Sequence, residues 1–257
     1  MDQSDQLKEV FAEGCKIRLV EDDIYSALPD VPHKPLYDKK RALAYDSIVS
    51  VWLYNRVMWG TSPADYVAFA REALLSHPDG RMLDAGCGSM LFTAQLYVSS
   101  KRQIVAFDQS LQRLRRARAR LIELTGTVPE HILLLQADLS NLVFRPEKFN
   151  TVLCLNVLHQ YGAVAGLIPK LWGLLNDPGQ LYLTSLVSSG RHIGDLWLDA
   201  LYKSGEFVRP RTVVAFNKLL DDSLGQKVNY RTKGNMAFAS AVGNFQAPEA
   251  VGGLNNQ

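Results

Sequence analysis

The chain has 257 residues, 47% of them apolar and 21% charged, which suits one full-sized globular domain with a decorated edge and excludes a disordered chain. Its 28 Lys and Arg against 26 Asp and Glu leave a formal charge of +2, too small for bulk electrostatics to recruit nucleic acid. No run of about 18 apolar residues would span a bilayer, no secretory leader is read at the N-terminus, and Cys15, Cys87 and Cys154 lie at no metal-ligand spacing, which fits free thiols in a reducing, cytoplasmic setting.

In chain order, residues 1–75 read as a helical cap or lid. Helical spacing over 7–11 and 48–58 flanks a loop marked by Pro29, Pro32 and Pro35, and 63–75 reads as the helix that leads into a sheet. From residue 76 short apolar runs alternate with longer helical ones. Strands are predicted at 82–85, 103–107, 132–137, 149–155 and 180–187. Helices are predicted at 91–99, 111–124 and 164–175, the last closing at Asn176-Asp177-Pro178-Gly179. This rhythm implies a doubly wound, mostly parallel α/β sheet with right-handed crossovers. The end breaks the rhythm: a helix at 212–224 is followed by two strands, 228–232 and 236–242, with a short turn at Lys233-Gly234-Asn235, so these two must pair as an antiparallel hairpin. The sheet domain is placed at 76–245, and residues 246–257 read as a frayed tail.

The most informative stretch is Asp84-Ala85-Gly86-Cys87-Gly88. An apolar strand ends in an acid, then two alternate glycines make a tight turn before a helix, which lets a nucleotide-like ligand lie against bare backbone. Asp108 ends the second strand about 20 residues further on, where a ribose-binding carboxylate belongs, although it could simply cap the next helix. Gln109 follows it. Asp138 and Leu139 occupy the next strand end, where Asp138 could instead serve as a turn cap with Ser140. Asn156 ends the fourth strand, with His159 and Tyr161 just beyond. His159 could be a general base with a pKa near working pH, or could only cap a helix or pack. The arginines 113, 115, 116, 118 and 120 share one helix without interleaved aromatics, which makes a solvated face the default.

These residues resemble the class I S-adenosylmethionine-dependent methyltransferases over roughly 45–242. Asp84–Gly88 is similar to the family's first motif, Asp108 to its second-strand acid, Ala137-Asp138-Leu139 to its third-strand motif, and Asn156-Val157-Leu158-His159 to the segment after its fourth strand. The resemblance implies a seven-stranded, Rossmann-like sheet of order 3-2-1-4-5-7-6 and S-adenosylmethionine as methyl donor, with S-adenosylhomocysteine as product. Tyr45, Asp84, Gly86, Cys87, Gly88, Asp108, Gln109, Asp138, Leu139 and Asn156 are the cofactor-binding residues it implies. Tyr45, Trp52, Asn55 and Trp59-Gly60 further resemble small-molecule methyltransferases of the ubiquinone/menaquinone-biosynthesis type. One position departs: Met90 stands where the family often has a third glycine, and is expected to push the helix outward or point away from the sheet.

The expected reaction is methyl transfer to a small, mostly apolar acceptor, with His159 or His192 as candidate bases, Trp59, Tyr161 and Trp197 as substrate contacts, and no metal. The rivals are an RNA methyltransferase, a non-catalytic S-adenosylmethionine-binding partner protein and an NAD(P) oxidoreductase. The last is disfavoured by Met90 and the terminal hairpin. The acceptor, the atom methylated and the oligomeric state are left open.

Overall fold

The computed structural model describes residues 9–29 and 52–243. Tyr45, most of the 48–58 segment's first half and the 246–257 tail lie outside the described residues.

A single nine-stranded sheet organises the chain. Its strands are β1 (Arg18–Glu21), β2 (Ile24–Ser26), β3 (Met82–Ala85), β4 (Ile104–Asp108), β5 (Ile132–Gln136), β6 (Phe149–Cys154), β7 (Leu175–Leu186), β8 (Asn229–Lys233) and β9 (Met236–Val242). They lie in the order β1-β2-β5-β4-β3-β6-β7-β9-β8. Seven strands were expected. The two additional ones extend the β5 edge, where β2 pairs parallel to β5 and antiparallel to β1. Residues 18–26 therefore form a hairpin on the sheet and not part of a helical cap. Asp22-Asp23 make its turn, with Asp23 at φ 62°, the left-handed conformation a two-residue hairpin loop demands. From β5 across to β7 the strands are parallel, and β9 and β8 close the far edge antiparallel.

The helices are α1 (Pro63–Leu75), α2 (Ala94–Val98), α3 (Leu111–Thr125), α4 (Val164–Trp172), α5 (His192–Lys203) and α6 (Val213–Leu224). Helix α1 starts with Pro63 in its first turn, and the Ser62 N–H donates to Asp65 Oδ2 at 2.8 Å, a stop-and-start signal written entirely in local sequence. Helix α4 ends at Trp172, three residues before its expected close. The loop 176–179 instead lies inside β7, where the pairing with β6 slips between Phe149 and Thr151 and absorbs the extra residues as a bulge.

Each face of the sheet carries its own apolar core. Leu83, Val105, Phe107, Leu135, Val152 and Leu183 point to one side, and Met82, Ile104, Ala106, Leu134 and Leu153 to the other, the period-two alternation of strands covered on both faces. Arg102 ties α1 to the sheet. It is 3% exposed, and its guanidinium donates to the carbonyls of Ala73, Leu74 and Gly80 and to Thr151 Oγ1 at 2.7–3.1 Å, so the buried charge is held by hydrogen bonds throughout.

The chain runs β3 to β4 to β5 in one direction and then returns to β6 and β7 on the other side of β3. The two loops leaving β3 and β6 therefore diverge at the carboxyl ends of the strands and open a crevice between them. The residues of the glycine turn and Asn156 are placed by that reversal.

Candidate active site

The loop after β3 is shaped by its glycines. Gly86 has φ 81°, and a Cβ there would lie 2.6 Å from Val157 Cγ2, so the β3 and β6 loops approach too closely for a side chain. The Gly86 and Cys87 N–H groups both donate to the Phe107 carbonyl, at 2.8 and 2.9 Å. Gly88 has φ 56° and faces open space, with its N–H donating to Asp108 Oδ2 at 3.0 Å. Met90 also adopts the left-handed region, at φ 53°, which explains the fit of a glycine there. Its side chain is 1% exposed and enters the core among the α1, α2 and β3 residues. The turn is thus extended through Thr93, and α2 begins at Ala94 and not near Leu91.

Two carboxylates lie beneath this turn. Asp84 is 1% exposed. Its Oδ2 accepts the Tyr97 hydroxyl at 2.8 Å, while Oδ1 is buried without a hydrogen-bond partner. Burial pushes its carboxyl up to about 7, with nearby Asp108 adding to the rise and the Tyr97 hydroxyl opposing it. Asp108 is buried as well. Its oxygens accept from the N–H groups of Gly88 and Ser110, at 3.0 and 2.8 Å, and Arg113 Nη1 stands 4.0 Å away. Desolvation raises its carboxyl, and Arg113 and the two backbone donors pull it back. Burial and the same two acids hold the Cys87 thiol well above its ordinary value, so it stays protonated.

A cavity of about 80 Å³ sits on the turn, bordered by Asp84, Gly86–Thr93, Arg113, Leu155, Asn156 and Val157. A second, larger cavity of about 350 Å³ lies beside it. Its walls include Tyr54, Trp59, Tyr66, Trp197 and Phe207, with Asn156 and His159 at its floor. Asn156 borders both cavities. It has φ 56°, and its N–H donates to Thr184 Oγ1 at 2.8 Å while its Oδ1 accepts from the same hydroxyl at 3.0 Å. A buried threonine on β7 thereby pins this strained residue at the seam.

The roof of the larger cavity comes from a one-turn helix, Trp52–Tyr54, that widens into a π-helix over Asn55–Trp59. Such π segments have wider hydrogen-bonded turns and occur often at functional sites. Here the end of the segment is held from two directions. Arg191 Nη1 and Nη2 donate to the Met58 and Val57 carbonyls at 3.1 and 3.0 Å, and the Asn235 N–H donates to the Trp59 carbonyl at 2.7 Å. Glycines make the junction possible: a Cβ on Gly234 would stand 1.9 Å from the Trp59 carbonyl oxygen. Across the mouth, Trp197 Nε1 of α5 donates to the Tyr54 hydroxyl at 3.0 Å.

The structure brings together Asp84, Gly86, Cys87, Gly88 and Asn156 at the smaller cavity and Trp59, Trp197, His159 and Asn156 at the larger. Asp108 supports the turn from below. Gln109, Asp138 and Leu139 border neither cavity. The Gln109 carbonyl accepts from Gln136 Nε2, Asp138 Oδ1 accepts the Ser140 N–H at 2.8 Å, and Leu139 packs in the core at 3% exposure. Tyr161 also borders neither; it is half-buried against the core on the α4 side, and burial pushes its hydroxyl up to about 12. His192 is exposed as the first residue of α5. His159 is 5% exposed and packs edge-on against Phe207 with ring centroids 4.5 Å apart, and burial pushes its imidazole down to about 3, far below the working range expected of a base.

Sequence reasoning missed Arg113 as part of the site. The arginine helix is also not a plain solvated face. Arg113 borders the smaller cavity and Arg120 donates to the Ser89 carbonyl, while Arg115 and Arg118 pair with Glu21 and Asp23 of the added hairpin. The signal was present as the acidic run Glu21-Asp22-Asp23, but it has meaning only once the hairpin is known to lie beside α3.

A parallel sheet with a switch point, a two-glycine turn over buried acids and an antiparallel closing hairpin define a class I methyltransferase fold. Comparison with known proteins agrees. Residues 83–183 match the family model described as a methyltransferase domain. No curated protein matches the chain in sequence. Solved structures similar in fold include an S-adenosylmethionine-dependent methyltransferase from Mesorhizobium loti, at 16% identity and TM-score 0.52 over 67% of this chain and 95% of that one. Another is magnesium protoporphyrin IX methyltransferase from Synechocystis PCC 6803 with bound S-adenosylhomocysteine, at 21% identity and TM-score 0.53 over 69% of this chain and 82% of that one. A third is geranyl diphosphate C-methyltransferase from Streptomyces coelicolor A3(2), at 12% identity and TM-score 0.53 over 68% and 75%. Residues 83–183 therefore match a methyltransferase domain, and the chain shares the fold of solved S-adenosylmethionine-dependent methyltransferases. No helix among the described residues is long and apolar enough to cross a membrane, and no group of three or more His, Cys, Asp or Glu among them is arranged to hold a metal ion.

Proposed function

We propose that this enzyme methylates a small, mostly apolar acceptor seated in the 350 Å³ cavity, with the methyl donor held in the adjoining cavity over the glycine turn. The observation that carries the reading is the sharing of Asn156 by both cavities, which makes their boundary the place where donor and acceptor meet. When bound, S-adenosylmethionine supplies a sulfonium-borne methyl group, which passes to the acceptor as the sulfur keeps the bonding pair and the acceptor's proton departs.

The chain's own groups fit such a donor. The unpartnered Asp84 Oδ1 suits an ammonium group, the open side of Gly88 leaves room above the backbone, and Asp108 retains lone-pair capacity for hydroxyls beyond its two backbone donors. Asp138, Leu139 and Gln109 would extend the site toward an adenine ring, and Tyr45 would close over the methionyl end. The enzyme's main task is alignment and exclusion of water. Trp59, Trp197 and Tyr54 perform the second part, because their apolar rings wall the cavity and the Trp197–Tyr54 hydrogen bond bridges the cap and α5. Apart from the 18–26 hairpin, which belongs to the sheet, residues 1–75 act as the lid of this arrangement together with α5, and residues 76–245 as the donor-binding domain.

An RNA acceptor would need a basic groove at the methyl site. The larger cavity has no Lys or Arg among its described lining residues, and Arg115 and Arg118 of α3 are committed to Glu21 and Asp23. Methyl-labelled S-adenosylmethionine incubated with the enzyme, a panel of aromatic and isoprenoid acceptors and total RNA tests the reading. Label in the organic-solvent extract is the expected result, and label confined to RNA would sink it.

A further inference from the structure

Resting on the acceptor reading above, we infer that the acceptor is an uncharged ring compound that presents a phenolic or enolic hydroxyl to His159 in the aromatic cavity. His159 lines that cavity at 5% exposure, and neither Nδ1 nor Nε2 has a hydrogen-bond partner. A buried polar atom without a partner costs about 1–3 kcal/mol, which a ligand that bonds to it restores. A neutral imidazole carries one donor and one acceptor nitrogen. Burial keeps this one neutral at any ordinary pH, so it offers a lone pair to a hydroxyl and no charge to a carboxylate.

The rest of the lining selects in the same direction. Tyr54, Trp59, Tyr66, Trp197 and Phe207 bring aromatic surface from four separate segments of the chain, which favours a flat ring over a flexible polar chain. No described lining residue is a Lys or Arg, so the wall offers an anion no cationic partner. A phosphate or carboxylate on the acceptor would thus meet aromatic rings, a neutral imidazole and the uncharged side chains of Asn55, Asn156 and Ser204, with no cation to balance it. A hydroxyl is the polar group that this wall accepts without an unpaired charge. The edge-on packing of His159 on Phe207 holds the imidazole plane, so the direction of its lone pair is set before the acceptor arrives.

The test uses the full chain saturated with S-adenosylhomocysteine and calorimetric titration of four probes of one shape: 2-naphthol, 2-methylnaphthalene, 2-naphthoate and 2-naphthylmethylammonium. Binding of 2-naphthol about tenfold tighter than the other three is expected, the effect of one neutral hydrogen bond in a dry site. In His159→Phe the hydrocarbon should bind as before and the hydroxyl preference should vanish. Tightest binding by the carboxylate or the ammonium compound overturns the inference, as does a hydroxyl preference that survives in His159→Phe. The wild-type ranking stands by itself if that variant fails to fold. If S-adenosylhomocysteine binds and none of the four probes does, the acceptor reading of the cavity falls, and this inference with it.

Discussion

Replacing Asp84 with Asn should make the ligand-free enzyme more stable at mildly alkaline pH, not less. Asp84 is 1% exposed and its carboxyl is pushed from its ordinary 3.8 up to about 7. A carboxyl raised by folding binds more protons in the native state than in the unfolded one between those two values, so native stability falls as pH climbs through that window and the full penalty is present above it. At about 1.4 kcal/mol per pKa unit, the ionised form costs the empty site on the order of 4 kcal/mol. Between about pH 5 and about pH 8 the loss amounts to roughly 2–3 kcal/mol. For a chain of this size that is roughly 5–10 °C in Tm. Asn keeps an oxygen for the Tyr97 hydroxyl and carries no charge, so its Tm should be nearly flat over the same range, apart from slopes common to both proteins. Differential scanning calorimetry of the two proteins at matched ionic strength measures the difference directly. Binding of S-adenosylhomocysteine at neutral pH should release protons from wild type and not from Asp84→Asn, because an ammonium beside the carboxylate favours its ionised form. Titrations in buffers of different ionisation enthalpy read that release. Parallel pH slopes for wild type and variant would refute the reasoning, since Asp84 would then titrate alike in the folded and unfolded chain.

Met90→Gly sets two effects against each other: the left-handed backbone costs a non-glycine residue roughly 1–2 kcal/mol, whereas deleting a fully buried side chain costs about 2–5 kcal/mol. Net destabilisation in urea is expected, and a stabilised variant would mean that the strain outweighs the packing. Arg191→Gln removes the fork that holds the Val57 and Met58 carbonyls. Amide exchange over residues 52–60 should quicken by about tenfold or more, with S-adenosylhomocysteine affinity unchanged within about twofold; an equal loss at both sites would show that the junction supports the whole fold and not the acceptor roof.

Much of the proposed donor side could be read from the chain alone. Asp84, Gly86 and Gly88 occupy consecutive positions in one strand-to-turn transition, and Asp108 and Asn156 each end an apolar run, so their placement follows from local periodicity and the geometry of a parallel sheet. The proposed acceptor side was read less well. Trp59 and Trp197 are 138 positions apart, and only the docking of α5 on the π segment brings them to one cavity. His192 looked as good a base as His159 by residue type, yet one is exposed at a helix start and the other buried. Residues 18–26 were read as part of a helical cap because a strand of four residues and one of three carry too little pattern to outweigh their neighbours.

The sequence by itself determined the parallel sheet, its closing hairpin and the two-glycine turn with acids at the strand ends, because the alternation of apolar runs, turns and helical segments that signals each is written in short windows of the chain. The tertiary structure alone decided what those residues experience. It set the carboxyl of Asp84 near 7, kept His159 neutral and unpartnered, paired Arg115 and Arg118 with the hairpin acids, and made Asn156 the boundary of two cavities. Burial, charge pairing and cavity shape are sums over groups far apart in the chain, and no window of sequence contains them.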